Sequence, residues 1–519
     1  MPCRRHPGLS MHLRSRLLGL LILTSGALSA CQQGGGADTQ SPDPLGGEVA
    51  APGTGTGTGN TPVTTPTSPT TPPAPPAPAV KYTREWVVAP TGSDSSAGSA
   101  AAPFRTIGKA LSVVGPGERI TVKAGTYAER ISIESTVKAG TQSAPIRLQG
   151  EGMPRIIPGN SAWSMINVRK PYWQIDGFEV DAQGQNKAGV VFADATTTGS
   201  VLSGSKVHNG TAGAAVSTVS YATGVTIENN EIYDYWIDGT DSHGVLVEYS
   251  SKNITVRGNK IHNVSGDSVQ CIGPEDYSTL PPADTVLIEG NEMYSNFENA
   301  FDIKTCSNVT IRGNVMRDFD AAGVVHMSAS NVLIEDNLIT GVGKGIQIGG
   351  NHYGPVPTHI VVRRNRIQDV HLGSATWEGN GIRLENCEDV LVANNTVVGA
   401  VTAALRLGGG EGGATSNLKV YNNILQGAET VRIGSQAPGL VLGNNLYAST
   451  AKINLSGAGV LSFSSWMSRG LDSGSVEAPL QLSTDGKFTP GSAAIDHGRN
   501  LGLAYCGAGP DIGAVETGC

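Results

Sequence analysis

VTIENNEI (residues 225–232), ITVRGNKI (254–261), TVLIEGNEM (285–293) and VTIRGNVM (309–316) are one phrase written four times: apolar-x-apolar-x-x-Asn-x-apolar. It returns as VLIEDNLI (332–339), IVVRRNRI (360–367), VLVANNTV (390–397), LKVYNNIL (418–425) and LVLGNNLY (440–447). The asparagines are Asn230, Asn259, Asn291, Asn314, Asn337, Asn365, Asn395, Asn423 and Asn445, with spacings of 29, 32, 23, 23, 28, 30, 28 and 22 residues. A period in this range marks a solenoid, with insertions confined to loops. Within the phrase the apolar residues alternate, which is the period of a strand.

A second short alternation precedes each phrase, as in GVLVEY (244–249), NAFDIK (299–304), GIQIGG (345–350) and GIRLEN (381–386). Two or three strands per coil, stacked about 4.8 Å apart, build a prism around aliphatic side chains. The Leu-x-Leu frame and helical return of leucine-rich repeats are missing. The expected fold is therefore all-β, a right-handed parallel β-helix with an N-terminal capping helix. The repeated asparagine suits the bend between strands, where it tolerates left-handed backbone and its amide can bond the coils above and below. It reads as scaffold.

Composition fits tight turns around an aliphatic core, with 69 Gly, 5% aromatic and 15% charged residues. A net charge of −8 argues against a nucleic-acid partner and against a membrane-binding surface. Four arginines (Arg4, Arg5, Arg14 and Arg16) precede the apolar run Leu17 to Leu28, the layout of a signal peptide over residues 1–30. Met11 is an alternative start that keeps this layout. Leu28-Ser29-Ala30-Cys31 resembles a bacterial lipobox, which implies lipidation of Cys31 and attachment to the envelope by that anchor alone. Residues 32–80 contain no Lys, Arg or aromatic residue, so residues 31–80 read as a tether of ~40 Å by coil statistics. The remaining divisions are a cap with the first coils (81–160), the repeats (161–450) and a closing segment (451–519), in an expected monomer.

The cap contains a helix expected from about Pro103 to Val114, covering the open end of the core. Of the seven cysteines, Cys506 and Cys519 flank the closing segment and are candidates for a disulfide. Cys306 and Cys387 share a column three coils apart, beyond bonding reach. Cys271 alternates inward and reads as a small core residue.

Aligning the second strand of each coil puts Val245, Val269, Phe301, Ile346, Ile382, Leu405 and Val431 inward. The next residue then faces solvent: Leu246, Gln270, Asp302, Gln347, Arg383, Arg406 and Arg432, with Glu248, Lys304 and Glu385 two further on. Such a ribbon offers one rung per coil to an extended polyanion. Acids in the turns leading into it (Asp241, Asp267 and Glu298), with Asp302 just beyond, form a set of hard oxygen ligands suited to Ca²⁺. Long loops bring Tyr277 and Trp377 within reach as sugar-stacking groups.

The opening passage Glu85 to Tyr127 resembles that of many β-helix carbohydrate-active proteins, including family 9 polysaccharide lyases, and Phe488 to Glu516 resembles their closing segment. Asp302-Ile303-Lys304 followed by Ser307 to Ile311 resembles a phrase near the calcium site of family 1 pectate lyases. The resemblance implies β-elimination on a uronate polysaccharide, Lys304 as base, and Asp302 as metal ligand or orienting partner. Two family hallmarks are absent, the Arg-x-Pro-x-x-Arg motif of family 1 and the compact aspartate cluster of family 9. The resulting expectation is a cell-surface lipoprotein acting on an acidic polysaccharide, with Gln270, Gln347, Arg383, Glu385 and Arg406 contacting it. Two rivals stand beside it. One is a non-catalytic glycan-binding or envelope protein. The other is a glycoside hydrolase pairing Asp302 with Glu298 or Asp267.

Overall fold

A computed structural model describes residues 81–272, 280–326, 328–349, 355–373, 379–409, 415–434, 437–448, 450–482 and 488–519. Cys31, Tyr277, Trp377, the expected signal peptide and the expected tether lie outside these residues.

Three short strands make a coil. Lys252–Arg257, Lys260–Val264 and Val269–Ile272 are followed one turn later by Ala283–Glu289, Glu292–Tyr294 and Phe301–Ile303. Each strand pairs in parallel with its equivalent in the next coil, so that Ile254 faces Val286 and Val269 faces Phe301. The strands that carry the asparagine phrase form one sheet of fifteen strands among the described residues; the other two sets share a second sheet. Inward columns such as Val245, Val269, Phe301, Val324, Ile346, Ile382, Leu405 and Val431 are fully buried. Burying each such side chain is worth about 1.5–3 kcal/mol, which is what holds coil on coil. The right-handed parallel β-helix is present.

The asparagines run through the corner as a continuous chain. Each Oδ1 accepts from the backbone N–H and the Nδ2 of the asparagine one coil earlier, at 2.9–3.2 Å from Asn230 through Asn445. Each Nδ2 also donates to a carbonyl of the preceding coil, as Asn314 does to Ile288 O at 3.1 Å. Ser205 and Ser475 end the row at either side. The left-handed backbone expected at these asparagines falls instead on the residue before each, at Asn229, Gly258, Gly290, Gly313, Asp336, Arg364, Asn394, Asn422 and Asn444. The division of labour is physical. One residue turns the chain, and the next satisfies the amides that the turn exposes.

The cap helix is shorter than expected, Ile107–Leu111, with the Thr106 hydroxyl accepting from Lys109 N and Ile107, Ala110 and Leu111 buried. A second short helix, Phe463–Met467, buries Trp466 near the other end. The closing segment lies along the asparagine corner, where Asn394 Nδ2 donates to Asp511 O and Asn422 Nδ2 to Arg499 O. Cys506 and Cys519 are bonded. Cys271 is buried as expected, but it is not merely a core filler: it is disulfide-bonded to Cys306 in the adjacent coil, with Cα atoms 6.2 Å apart. Cys387 is free and buried.

Candidate functional site

The outward column is continuous. Leu246, Gln270, Asp302, Val325, Gln347, Arg383, Arg406 and Arg432 face one another in register, coil after coil. Val325 was not anticipated, so Asp302 and Gln347 are two rungs apart. The expectation of a solvent-facing ribbon is corrected in its central part. Gln270 is 2% exposed, Asp302 5%, Gln347 7%, Arg383 7% and Glu385 4%. Burial removes the option of a solvated surface pair, because a charge taken from water needs a partner or a proton.

Partners are found along this column, from the coil of His243 to that of Gln347. Asp267, fully buried, accepts from Asn299 N at 3.1 Å, Asn299 Nδ2 at 2.9 Å and Gln270 Nε2 at 2.9 Å. Its own backbone N–H donates to His243 Nδ1 at 3.0 Å. That bond makes Nδ1 an acceptor, so the imidazole is neutral with its proton on Nε2. Burial agrees, holding the His243 pKa down at about 4. Lys304 reaches within 3.6 Å of Asp302 Oδ2, and its side chain is a quarter exposed. Asp302 Oδ1 is buried with no hydrogen-bond partner among the described residues. Lys344, itself buried, donates to Gln347 Oε1 at 3.1 Å.

The carboxylates feel one another. Burial first, then the Asp267, Asp241 and Asp302 charges, push Glu298 up to about 8. Burial and Asp267 push Asp302 up to about 7 against the pull of Lys304 and Lys344. Burial raises Asp267 to about 6, opposed by Asn299, Lys304 and Gln270. These three acids resist ionisation together and one has an orphaned oxygen, so added positive charge would relieve them, though their oxygens are not all within 4.8 Å of one another as in a formed metal group. Asp241, on the turn outside them, is exposed, yet its charge reaches both Glu298 and His243.

Further along, Arg383 Nη2 pairs with Glu385 Oε1 at 2.6 Å, and Arg432 is held by Glu429 at 2.6 and 3.0 Å. Arg406 lies on the rung between them, half-buried, donates to Gly409 O at 3.1 Å and makes no ion pair among the described residues. A separate grouping on another strand column, Glu179, Asp181 and His208, has metal-like spacing. Arg155 already engages both of its carboxylates, and Asn209 Nδ2 and Gln183 N donate to Asp181. Most of its oxygens are thus engaged, although it is the one such grouping among the described residues whose ligand atoms all lie within 4.8 Å of one another.

Sequence reasoning missed His243, Asn299 and Lys344. His243 precedes inward Val245 by two residues, as Asp267 precedes Val269, and this offset was the available signal.

Residues 243–425 match the family described as "Right handed beta helix region", and residues 90–269 match one described as "Protein of unknown function (DUF1565)". The chain is similar to pectate lyase PEL9 of Emericella nidulans, 25% identical over 276 residues, which is 49% of this chain and 57% of that one. The match thus spans little more than half of that relative. Among solved structures it is similar to the PL6 family alginate lyase AlyGC, at 15% identity and TM-score 0.57, over 79% of this chain and 55% of that one. It is also similar to a mannuronic acid specific polysaccharide family 6 lyase from human gut microbiota, at 16% identity and TM-score 0.55, over 76% and 91% of the two chains. At such identities the structural likeness is one of fold. In architecture the chain is a pectate-lyase-like right-handed parallel β-helix.

Proposed function

We propose that this protein is a polysaccharide lyase that cleaves a uronate-containing glycan by β-elimination, with Lys304 as base. The observation that carries this reading is the gathering of Asp267, Glu298, Asp302 and Lys304 on two consecutive coils, with Asp302 Oδ1 buried and without a hydrogen-bond partner among the described residues. The named activities of the similar proteins, on pectate and alginate, support it. Lys304 Nζ removes the proton on the carbon beside the uronate carboxylate. The C–H electron pair becomes the new C=C bond, the neighbouring C–O bond breaks, and the departing oxygen takes up a proton. Asp267, Glu298 and Asp302, with Asp241 outside them, would hold Ca²⁺, which offsets the substrate carboxylate charge when bound. Asp302 orients Lys304 at 3.6 Å. Gln270, Gln347, Arg383 and Arg406 line the track that receives the polymer, and Glu385 fixes Arg383.

Location belongs to the same proposal. Cys31 carries a lipid, and residues 31–80 tether the domain to the bacterial envelope. Radiolabelled palmitate should enter the wild-type chain and not Cys31→Ala.

The catalytic test is incubation with pectate, alginate and other uronate polymers while following the ultraviolet absorbance of the new double bond. Appearance of that absorbance, lost in Lys304→Ala, supports the proposal; absence of cleavage on every uronate polymer refutes it. The pKa of Glu298, about 8, favours one second reading, because a carboxyl that stays protonated at neutral pH can act as the general acid of a glycoside hydrolase. New reducing ends without absorbance would select it.

A further inference from the structure

Two large rings stand in water next to the carboxylates. Trp236 is 43% exposed and Phe297 60%. They come from turns two coils apart, since Trp236 N donates to Gly210 O, Ser265 N to Tyr235 O and Phe297 N to Val264 O. Ser265 therefore occupies the rung between them, and the rings lean over it to meet edge to face, centroids 6.3 Å apart at 75°. The serine hydroxyl is used below them, accepting from Ile237 N and donating to Thr240 O, both at 3.0 Å. The indole is fixed by Nε1 donating to Asp238 Oδ1 at 3.0 Å. Because serine serves at the middle rung, the corner itself has no need of an aromatic residue. Each ring belongs to a turn that carries a site carboxylate: the Trp236 turn runs on to Asp241, and Phe297 is followed directly by Glu298.

Trp236 itself lines a depression of about 450 Å³, together with Thr211, Asn209, Asp234, Asn263 and the two glycines Gly184 and Gly210. An apolar ring flanked by amides, a hydroxyl and a carboxylate matches the two surfaces of a pyranose, C–H faces and rim hydroxyls. A second copy of the chain is a poorer occupant, since a stable dimer buries about 1,200–2,000 Å² and two rings supply a small part of that. We infer that Trp236 and Phe297 form a sugar-stacking subsite, which takes a pyranose ring of the glycan next to the bond that Lys304 addresses. The acidic character of that glycan rests on the function proposed above; the stacking itself does not.

The test is affinity electrophoresis and calorimetry with pectate and alginate in the Lys304→Ala background, where the polymer stays intact. Trp236→Ala and Phe297→Ala should each weaken binding about tenfold, equivalent to about 1.4 kcal/mol. Trp236→Phe should keep most of the affinity, and thermal melting should be unchanged in all three. In the active enzyme the two alanine variants should raise KM more than they lower kcat. Unchanged affinity in the Trp236→Ala/Phe297→Ala double variant overturns the inference. So does a concentration-dependent dimer that this double variant abolishes while glycan binding persists. Binding that depends on the rings without any cleavage sustains the subsite and removes the lyase; cleavage indifferent to the rings does the reverse.

Discussion

Replacing Asn314 by alanine removes one rung of the corner chain in the coil that follows the one carrying Asp302 and Lys304. Its Oδ1 accepts from Asn291 N at 2.9 Å and Asn291 Nδ2 at 3.0 Å, while its Nδ2 donates to Ile288 O at 3.1 Å and Asn337 Oδ1 at 3.0 Å. Asn291 Nδ2 retains Val256 O, and Asn337 Oδ1 retains Asn314 N. The Asn291 backbone N–H is left buried without an acceptor, a loss of about 1–3 kcal/mol, and the three weakened bonds each add about 0.5–1.5 kcal/mol. The expected destabilisation is about 2.5–7.5 kcal/mol, a large share of the 5–15 kcal/mol typical of whole domains. Guanidinium unfolding gives the total, and amide hydrogen exchange at Asn291 should report local opening first, because a solenoid's coils support only their neighbours. A loss below about 1 kcal/mol, or unaltered exchange at Asn291, would refute the claim that this row holds the corner.

Other outcomes follow from the site. Lys304→Ala should lower kcat by about 10²–10⁴ on the cleaved polymer, the range for removing a general base, with melting temperature preserved. In chelator, Glu298 and Asp302 keep folded pKa values of about 8 and 7 against ordinary values of 4.5 and 3.8, so the folded state holds more protons than the unfolded one at neutral pH. Stability should therefore fall as pH rises from about 6.5 to 8, above the range where His243 titrates, and Ca²⁺ should restore it most at the higher pH. A melting temperature that rises over this interval without metal would contradict the cluster. Arg406→Ala should raise KM about tenfold on long polymer. Four rungs, about 19 Å, separate Arg406 from Asp302, so oligomers too short to span them should be unaffected. Reducing Cys271–Cys306, which closes a separation of 35 residues, should cost about 3–4 kcal/mol by loop entropy and appear as a lower guanidinium midpoint.

The coil architecture was legible because period-two alternation and the recurring asparagine are properties of each coil by itself. The outward register was legible for the same reason, down to Gln270, Asp302 and Arg383. Burial was not, because it depends on what lies over a strand, and alternation says only which way Asp302 points. The Cys271–Cys306 bond escaped notice because the two cysteines lie in different columns: the register does align Cys306 with Cys387 three coils on, whereas Cys271 pairs with Ile303, three residues before Cys306. His243 and Lys344 were hidden by residue type: a histidine before a glycine and a lysine beside one read as turn residues. Only the ladder bringing His243 N-terminal to Asp267 shows that one imidazole nitrogen is already occupied.

Since an asparagine rung answers only to the rung before and the rung after, the row has no intrinsic length. A duplicated coil that brought its own asparagine could be spliced in between Asn395 and Asn423 without disturbing the amides at either end. Four coils nearer the N-terminus, Asp302 and Lys304 would keep their neighbours, while the track beyond them grew by one step. Reach along a polymer and chemistry upon it are thus separable by gene duplication, the first open to variation while the second stays fixed.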